Sequence, residues 1–361
     1  MPSSDAEGPL SPLAAAAIEA IGVTAGIVLV RDGGLAHASL TATGIEVRAA
    51  GDDDAELIGA TTTAPDAFDD LRAAFTPGPI LIAVGRGVAI EAPLVVVRYA
   101  AGEGVASFPH LLVHAAEASQ ITIVEVVISS DERVLTVPLL EMVVDSAANV
   151  SHVQLQQLGP AAWQLGRLSS RIARDATLSS TLVSLGGAVS RVHTHAELLD
   201  QGGTSNLRAI YAGDGDQMHD FRVVQGHVGM NTTSDLFFKG AVTDEAHAVY
   251  SGVIRVDKGA VDTNGFQTIR NLVLSDTAWA DAVPNLEIEE NRVRCSHATT
   301  VGPIDVEQRY YLEGRGVPRQ VAERLIVLGF FEEVIDRLPI VGLRQLVRDA
   351  LAVKVAGGVA S

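Results

Sequence analysis

The sequence predicts a mainly β protein with helices at its two ends. Between residues 80 and about 290, short apolar runs alternate with polar turns again and again. Hydrophobic residues make up 47% of the 361-residue chain and aromatic residues only 4%, so Val, Ile, Leu and Ala must build the core. Branched aliphatic side chains fit the pleated surface of stacked strands. Helical periodicity is confined to the ends. A sandwich, a barrel and a β-helix all satisfy these facts, and no strict short repeat selects the β-helix.

Residues 1–78 read as an N-terminal α/β region. Ser11 caps a short helix that runs to Ile21, and residues 22–42 carry apolar runs suited to strands. Gly51 followed by three aspartates, ending at Asp54, reads as a solvated turn. Phe68, Leu71 and Phe75 recur at helical spacing behind Asp66, and Pro77 and Pro79 end that helix. Residues 79–302 then read as the β core. Its strand text includes residues 80–84, 94–97, 111–113, 121–128, 135–140, 150–155, 181–183, 249–256 and 268–274. Gly186, Gly202, Gly213, Gly215, Gly240 and Gly265 mark turns between such runs.

Residues 303–361 read as a helical tail. Asp305 with Gln308 has the spacing of a capping box. Gly314 and Gly316 stop that helix, and Pro318 suits the first turn of the next. Val321, Leu325 and Leu328 form one apolar stripe; Val334, Ile335 and Leu338 form another. Pro339 interrupts, residues 342–354 read as a last helix, and the final five residues are loose.

Composition excludes several classes of function. Twenty-six basic residues against 44 acidic ones give a net charge of −18, so clustered Lys and Arg for a nucleic-acid backbone are lacking. No apolar run approaches a membrane span. The first basic residue is Arg31, which is not the start of a secretory signal, and a single cysteine forms no intrachain disulfide; a cytoplasmic setting is expected. There is no Walker A loop, no Gly-x-Ser-x-Gly elbow and no Gly-x-Gly-x-x-Gly after a strand. A self-sufficient enzyme is therefore not expected.

Four groups of residues are weighed as sites. Cys295 and His297 sit two apart, so on a strand both side chains leave one face. They suit a metal or sulfur site. The plainer reading is a buried thiol beside a surface imidazole. One thiol cannot hold an iron–sulfur cluster, which usually takes four thiolates or a partly imidazole set, so other ligands would come from another chain. His193, His195 and Glu197 also share a strand face, with Gly187 six residues before His193, in the manner of a cupin metal motif. The cupin carboxylate, however, lies four or five residues after the second His, and Glu197 follows by two. His219, His227 and His247 are scattered. Asp214 and Asp216 lack the remaining ligands of a calcium loop and read as a turn.

Several motifs in order resemble the SufB/SufD family of iron–sulfur assembly proteins. They are Tyr211-Ala-Gly-Asp-Gly-Asp-Gln217, Tyr250-Ser-Gly-Val-Ile-Arg-Val256, Gln267-Thr-Ile-Arg-Asn271, Pro284-Asn-Leu-Glu-Ile288, Cys295-Ser-His297 and Tyr311-Leu-Glu-Gly-Arg315-Gly316. The likeness covers roughly residues 78–340. One cysteine in a Cys-Ser-His setting looks like SufD, whereas SufB-like chains bring several thiols.

The resemblance implies a right-handed β-helix, flanked by a small N-terminal region and C-terminal α-helices. It implies a scaffold made with SufB and the ATPase SufC. His297, and Cys295 as a second ligand or packing neighbour, would then face SufB and share a transient iron–sulfur cluster with it. The helical tail would dock SufC through Tyr310, Tyr311, Leu312, Arg315, Val321, Leu325, Leu328, Phe330 and Phe331. A cupin-like metal protein using His193 and His195, a carbohydrate-active β-helix and a structural subunit without ligands are the rival readings.

Overall fold

The computed structural model describes residues 11–61 and 65–358, with side chains through residue 355. Two long sheets face each other. The first runs, in spatial order, β2 (Gly34–Leu40), β1 (Gly26–Arg31), β5 (Leu94–Ala100), β8 (Gln120–Ser129), β11 (Asn149–Gln157), β13 (Thr177–Ser184), β15 (Thr204–Gly213), β17 (Thr233–Val242), β19 (Asn264–Val273) and β21 (Arg294–Gly302). The second runs β20 (Trp279–Ile288), β18 (His247–Val256), β16 (Met218–His227), β14 (Val189–Leu198), β12 (Trp163–Ile172), β10 (Leu139–Val144), β7 (His110–Ala115), β4 (Ile80–Val84) and β3 (Ile45–Ala49). Short β6 (Val105–Ser107) and β9 (Val134–Thr136) pair beside β12. The chain alternates between the sheets and pairs in parallel, which makes a flattened β-helix of about eight turns.

The turns are regular although the residues are not. Asn149 pairs with Thr177, Thr177 with Thr204, Thr204 with Thr233, Thr233 with Asn264 and Asn264 with Arg294, steps of 28, 27, 29, 31 and 30 residues. At one end of every such coil a residue adopts a left-handed backbone: Ala118, Ala147, Asp175, Gly202, Asn231 and Asp262. Each donates its N–H to a carbonyl one coil further on, as Ala147 does to Arg174 at 2.8 Å and Asn231 to Val261 at 2.9 Å. A stack of equivalent corners closes the coils without a fixed sequence. Only glycine takes such a backbone at no steric cost; Asn and Asp tolerate it better than other residues.

Period-two alternation sends half of each strand inward. The apolar side chains of the lumen are aliphatic from Val28 to Leu178, with a buried polar group of Arg98, Glu125, His152 and Gln154 among them, and rings appear toward the C-terminal coils. Tyr211, Phe221, Phe238 and Tyr250 form a continuous run there, with successive ring centroids 4.8, 5.3 and 5.3 Å apart. The outward residues of the first sheet form a second core. They are covered by α1 (Pro12–Ile21), α4 (Arg319–Ile335) and α5 (Val341–Gly358) through Ala14, Val327, Phe331, Val334 and Leu351, among others. Among the described residues, no helix is long and apolar enough to cross a membrane.

Several local expectations change. β1, β2 and β3 precede residue 78 yet extend both sheets, so the sheets cross that boundary. Pro138 splits the run at residues 135–140 into β9 and β10, because it cannot donate to a ladder. Asp54 is buried and holds Arg48 at 2.6 Å, not a solvated turn residue. In α2 (Ala67–Phe75) the predicted apolar face is turned outward: Phe68 and Phe75 are exposed, while Asp69 and Arg72 are buried. The reason is Arg167 on β12, which meets Asp69 at 2.9 Å and needs a carboxylate there.

Ser11 caps α1 as expected, its hydroxyl accepting from the Ala14 N–H at 3.2 Å. Asp305 caps α3 (Val306–Glu313) by accepting from Glu307 alone, without the capping box. Pro318 stands at the N-cap of α4, one position before its first turn. The last helix is longer than residues 342–354, and residues 359–361 of the expected loose tail lie outside the described residues.

Candidate functional site at the open end of the β-helix

β20 and β21 are the last strands of their sheets, and each has a neighbour on one side only. Among the described residues, the final coil therefore ends in two free edges and an uncapped lumen. Register shows which side chains face inward. Gly265 and Gln267 are buried in β19, and they pair with Cys295 and His297 of β21. Cys295 and His297 thus extend the inward rows of the preceding coil, on one face as their spacing requires.

The two residues differ in access. Cys295 is half-buried and packs beside Ile254, Val256 and Ala260. Burial pushes its thiol up from the ordinary value, and the Gly265 N–H only partly opposes this. His297 is exposed. To act as a ligand, the thiol would first have to lose a proton that its surroundings help it to keep. Among the described residues, no three His, Cys, Asp or Glu side chains converge on one point.

The motif residues one coil below form the support. Tyr211 donates its hydroxyl to Asn271 Oδ1. Tyr250 donates to Gln267 Oε1 at 2.8 Å, and Gln267 donates in turn to the Asn285 carbonyl at 3.1 Å. Gln267 is the register partner of His297, and Asn285 lies on β20. Sequence spacing did not reveal this bridge between the two end strands. Its only signal was that the same residues lie in recurrent motifs.

The other histidines do not join the site. His193 and His195 lie on the outer face of the second sheet, where burial pushes both imidazoles down. His195 stands 3.6 Å from Glu197, whose carboxylate is held by Arg255 at 3.1 Å. This is the wall of a β-helix and not the inside of a cupin barrel. His219 and His227 are lumenal, driven down to about 3 and about 4 by burial, with the Lys354 charge adding to the effect on His219. His247 packs on Trp279 with centroids 4.7 Å apart. Asp214 binds Lys354 of α5, so that turn anchors a helix.

The tail sorts its apolar residues by side. Tyr310 and Tyr311 are 60% and 61% exposed, and Val321, Leu325 and Arg315 are exposed with them. Arg315 lies over the Tyr311 ring at 4.5 Å. Leu312, Leu328 and Phe330 are half-buried. Phe331, grouped with these as a surface residue from sequence, is fully buried against the first sheet. It lies close to the face that carries Val327, Val334 and Ile335.

Comparison with known proteins gives the family. The model of the SUF system FeS cluster assembly SufBD core domain matches residues 97–330. The chain belongs to the SufB/SufD family. It is 33% identical over 279 residues to an iron–sulfur cluster assembly SufBD family protein of Mycobacterium tuberculosis, covering 75% of this chain and 70% of that protein. It is 32% identical over 283 residues to the iron–sulfur cluster assembly protein SufD of Escherichia coli, covering 77% and 67%. SufD of Bacillus subtilis is 29% identical over 279 residues, covering 76% and 64%. The SufBD core match ends at Phe330, inside α4, and so includes the whole open end of the coil.

Proposed function

We propose that this chain is the SufD-type half of an iron–sulfur assembly scaffold. The observation that carries the proposal is the final coil, with two free strand edges and the Cys295–His297 pair on its inner face. A long edge strand without Lys, Pro or acidic residues invites pairing, and β21 after Arg294 is such an edge. A SufB-type β-helix would meet this end. Two donors cannot complete a cluster, so the remaining ligands would come from that partner.

In this reading the cluster is cargo, assembled at the joint. His297 supplies a nitrogen from this side. Cys295 is a second ligand if the closed joint strips its proton, and otherwise a packing neighbour. A SufC-type ATPase docks on the exposed tyrosines of α3 and the Val321–Leu325 stripe of α4. ATP-driven approach of two ATPase subunits would pull the tails. Because α4 and α5 share a core with the first sheet, that pull reaches the strands leading to β21. The role is that of a scaffold, with ATP hydrolysis left to the partner.

The test is co-purification with SufB-type and SufC-type chains of the same organism, followed by anaerobic reconstitution with iron and sulfide. A stable complex should gain cluster absorbance, lose most of it in His297→Ala and lose less in Cys295→Ser. Normal assembly in His297→Ala would end the ligand role. A chain that stays alone and colourless would end the scaffold reading.

A further inference from the structure

The final coil is divided by charge. From Leu274 to Glu290, on the β20 side, it carries Asp276, Asp281, Glu287, Glu289 and Glu290 and no basic residue. From Asn291 to Gly302, on the β21 side, it carries Arg292, Arg294 and His297 and no acidic residue. Two of these charges have local work. Glu290 accepts from the Gly259 N–H at 3.2 Å, and Arg292 pairs with Asp262 at 2.8 Å. Asp281, Glu287, Glu289 and Arg294 are exposed and have no ion-pair partner among the described residues.

These unpaired charges flank apolar surface. Trp279 and Val283, on the outward row of β20, are 45% and 47% exposed, and Ile288 and Val301, on the inward rows of β20 and β21, are 40% and 41% exposed. Exposed apolar area with a charged rim marks a surface that is covered in the assembled state. The rim also limits what can cover it. A second β20 laid antiparallel on this one would set acidic edge against acidic edge, and like charges directly opposite are destabilising.

We infer that the open end selects its partner by charge polarity: the occupant is a second β-helix end that is basic where it faces β20 and acidic where it faces β21. The inference rests on the scaffold reading above and adds the recognition rule to it. Complementary rims steer encounter and fix register, and like-charge contacts reject wrong partners. The same rule gives the joint a sense of direction, because the partner turned over by half a revolution would meet like charge on both edges.

The experiment titrates the full chain with the purified SufB-type chain of the same organism at about 50 and about 300 mM salt, across which screening rises steeply. Arg294→Glu and the double variant Glu287→Lys/Glu289→Lys are compared with Arg174→Glu, an exposed turn residue remote from the end. The two end variants should each weaken binding roughly tenfold or more at low salt and flatten its salt dependence. Arg174→Glu should bind as the parent does, and thermal melting should show all variants folded. Tight binding indifferent to both reversals and to salt would overturn the polarity rule while leaving the scaffold reading intact. No binding by the unmodified chain would overturn both.

Discussion

Tyr211 reaches Asn271 by lying across Gly240. The three residues occupy one row of the first sheet, Tyr211 beside Gly240 and Gly240 beside Asn271. A Cβ built on Gly240 would lie 2.0 Å from the Tyr211 ring and 2.5 Å from Asn271 Oδ1. The glycine is required by a close approach, not by its backbone angle. Tyr250 uses Gly252 in the same way, with its hydroxyl 1.9 Å from where a Cβ would be. These two glycines let buried hydroxyls find acceptors directly beneath the Cys295–His297 coil.

Gly240→Ala should therefore cost more than an ordinary core substitution. It overpacks the lumen, which costs about 1–3 kcal/mol, and it breaks a buried hydrogen bond, which adds about 1–3 kcal/mol. Chemical denaturation of the isolated chain would measure it. A loss under about 1 kcal/mol would mean that the tyrosine ring can move aside, and that the row is less constrained than its geometry indicates.

Acid should unfold the protein in two stages. His219 and His227 are ordinarily protonated below about 6.5, but burial holds them neutral in the fold down to about 3 and about 4. The unfolded chain therefore binds more protons between those limits. Stability is full above pH 6.5 and falls as pH drops, by up to about 1.4 kcal/mol per pH unit for each such histidine. Glu125 acts lower. Burial alone would raise its carboxyl, but the Arg98 guanidinium, 3.0 Å away, and the His152 ring hold it at about 2 against an ordinary 4.5. Its contribution is present above pH 4.5 and is lost as pH falls toward 2. Denaturant midpoints at a series of pH values would show the first decline between 6.5 and 4. His227→Gln, which can still bond Thr232 and Ser234, should make that decline shallower. An unchanged slope would remove His227 as its source.

The two ends of the legibility scale are set by the same geometry. The β core and the shared face of Cys295 and His297 follow from apolar alternation, because a strand's period of two needs no knowledge of its neighbours. The coil period, 27 to 31 residues, is not legible. Its corner position is filled by Ala118, Ala147, Asp175, Gly202, Asn231 and Asp262, and what these share is a backbone angle, not a side chain. Helix faces were read less well than strands. The spacing of Phe68, Leu71 and Phe75 predicts the helix but not its buried side, where Arg167 on a distant strand meets the carboxylate of Asp69 while Phe68 and Phe75 are exposed. The Gln267–Asn285 bridge under the site joins residues from opposite sheets, which no local pattern encodes.

The tail allows packing and docking to be separated by two substitutions on one helix. Phe331 is fully buried between α4 and the first sheet; Leu325, six residues earlier, is half exposed. Phe331→Ala should cost about 3–5 kcal/mol, the range for deleting a buried ring. The helix would then loosen from the strands it covers. Leu325→Ala should change stability by no more than about 0.5 kcal/mol, as surface changes do. If the Val321–Leu325 stripe is the docking face, Leu325→Ala combined with Tyr311→Ala should still weaken capture of a SufC-type chain severalfold while the melting temperature stays fixed. Equal capture by that double variant would move the docking face elsewhere on the tail, since a folded α4 lacking both side chains would then be sufficient.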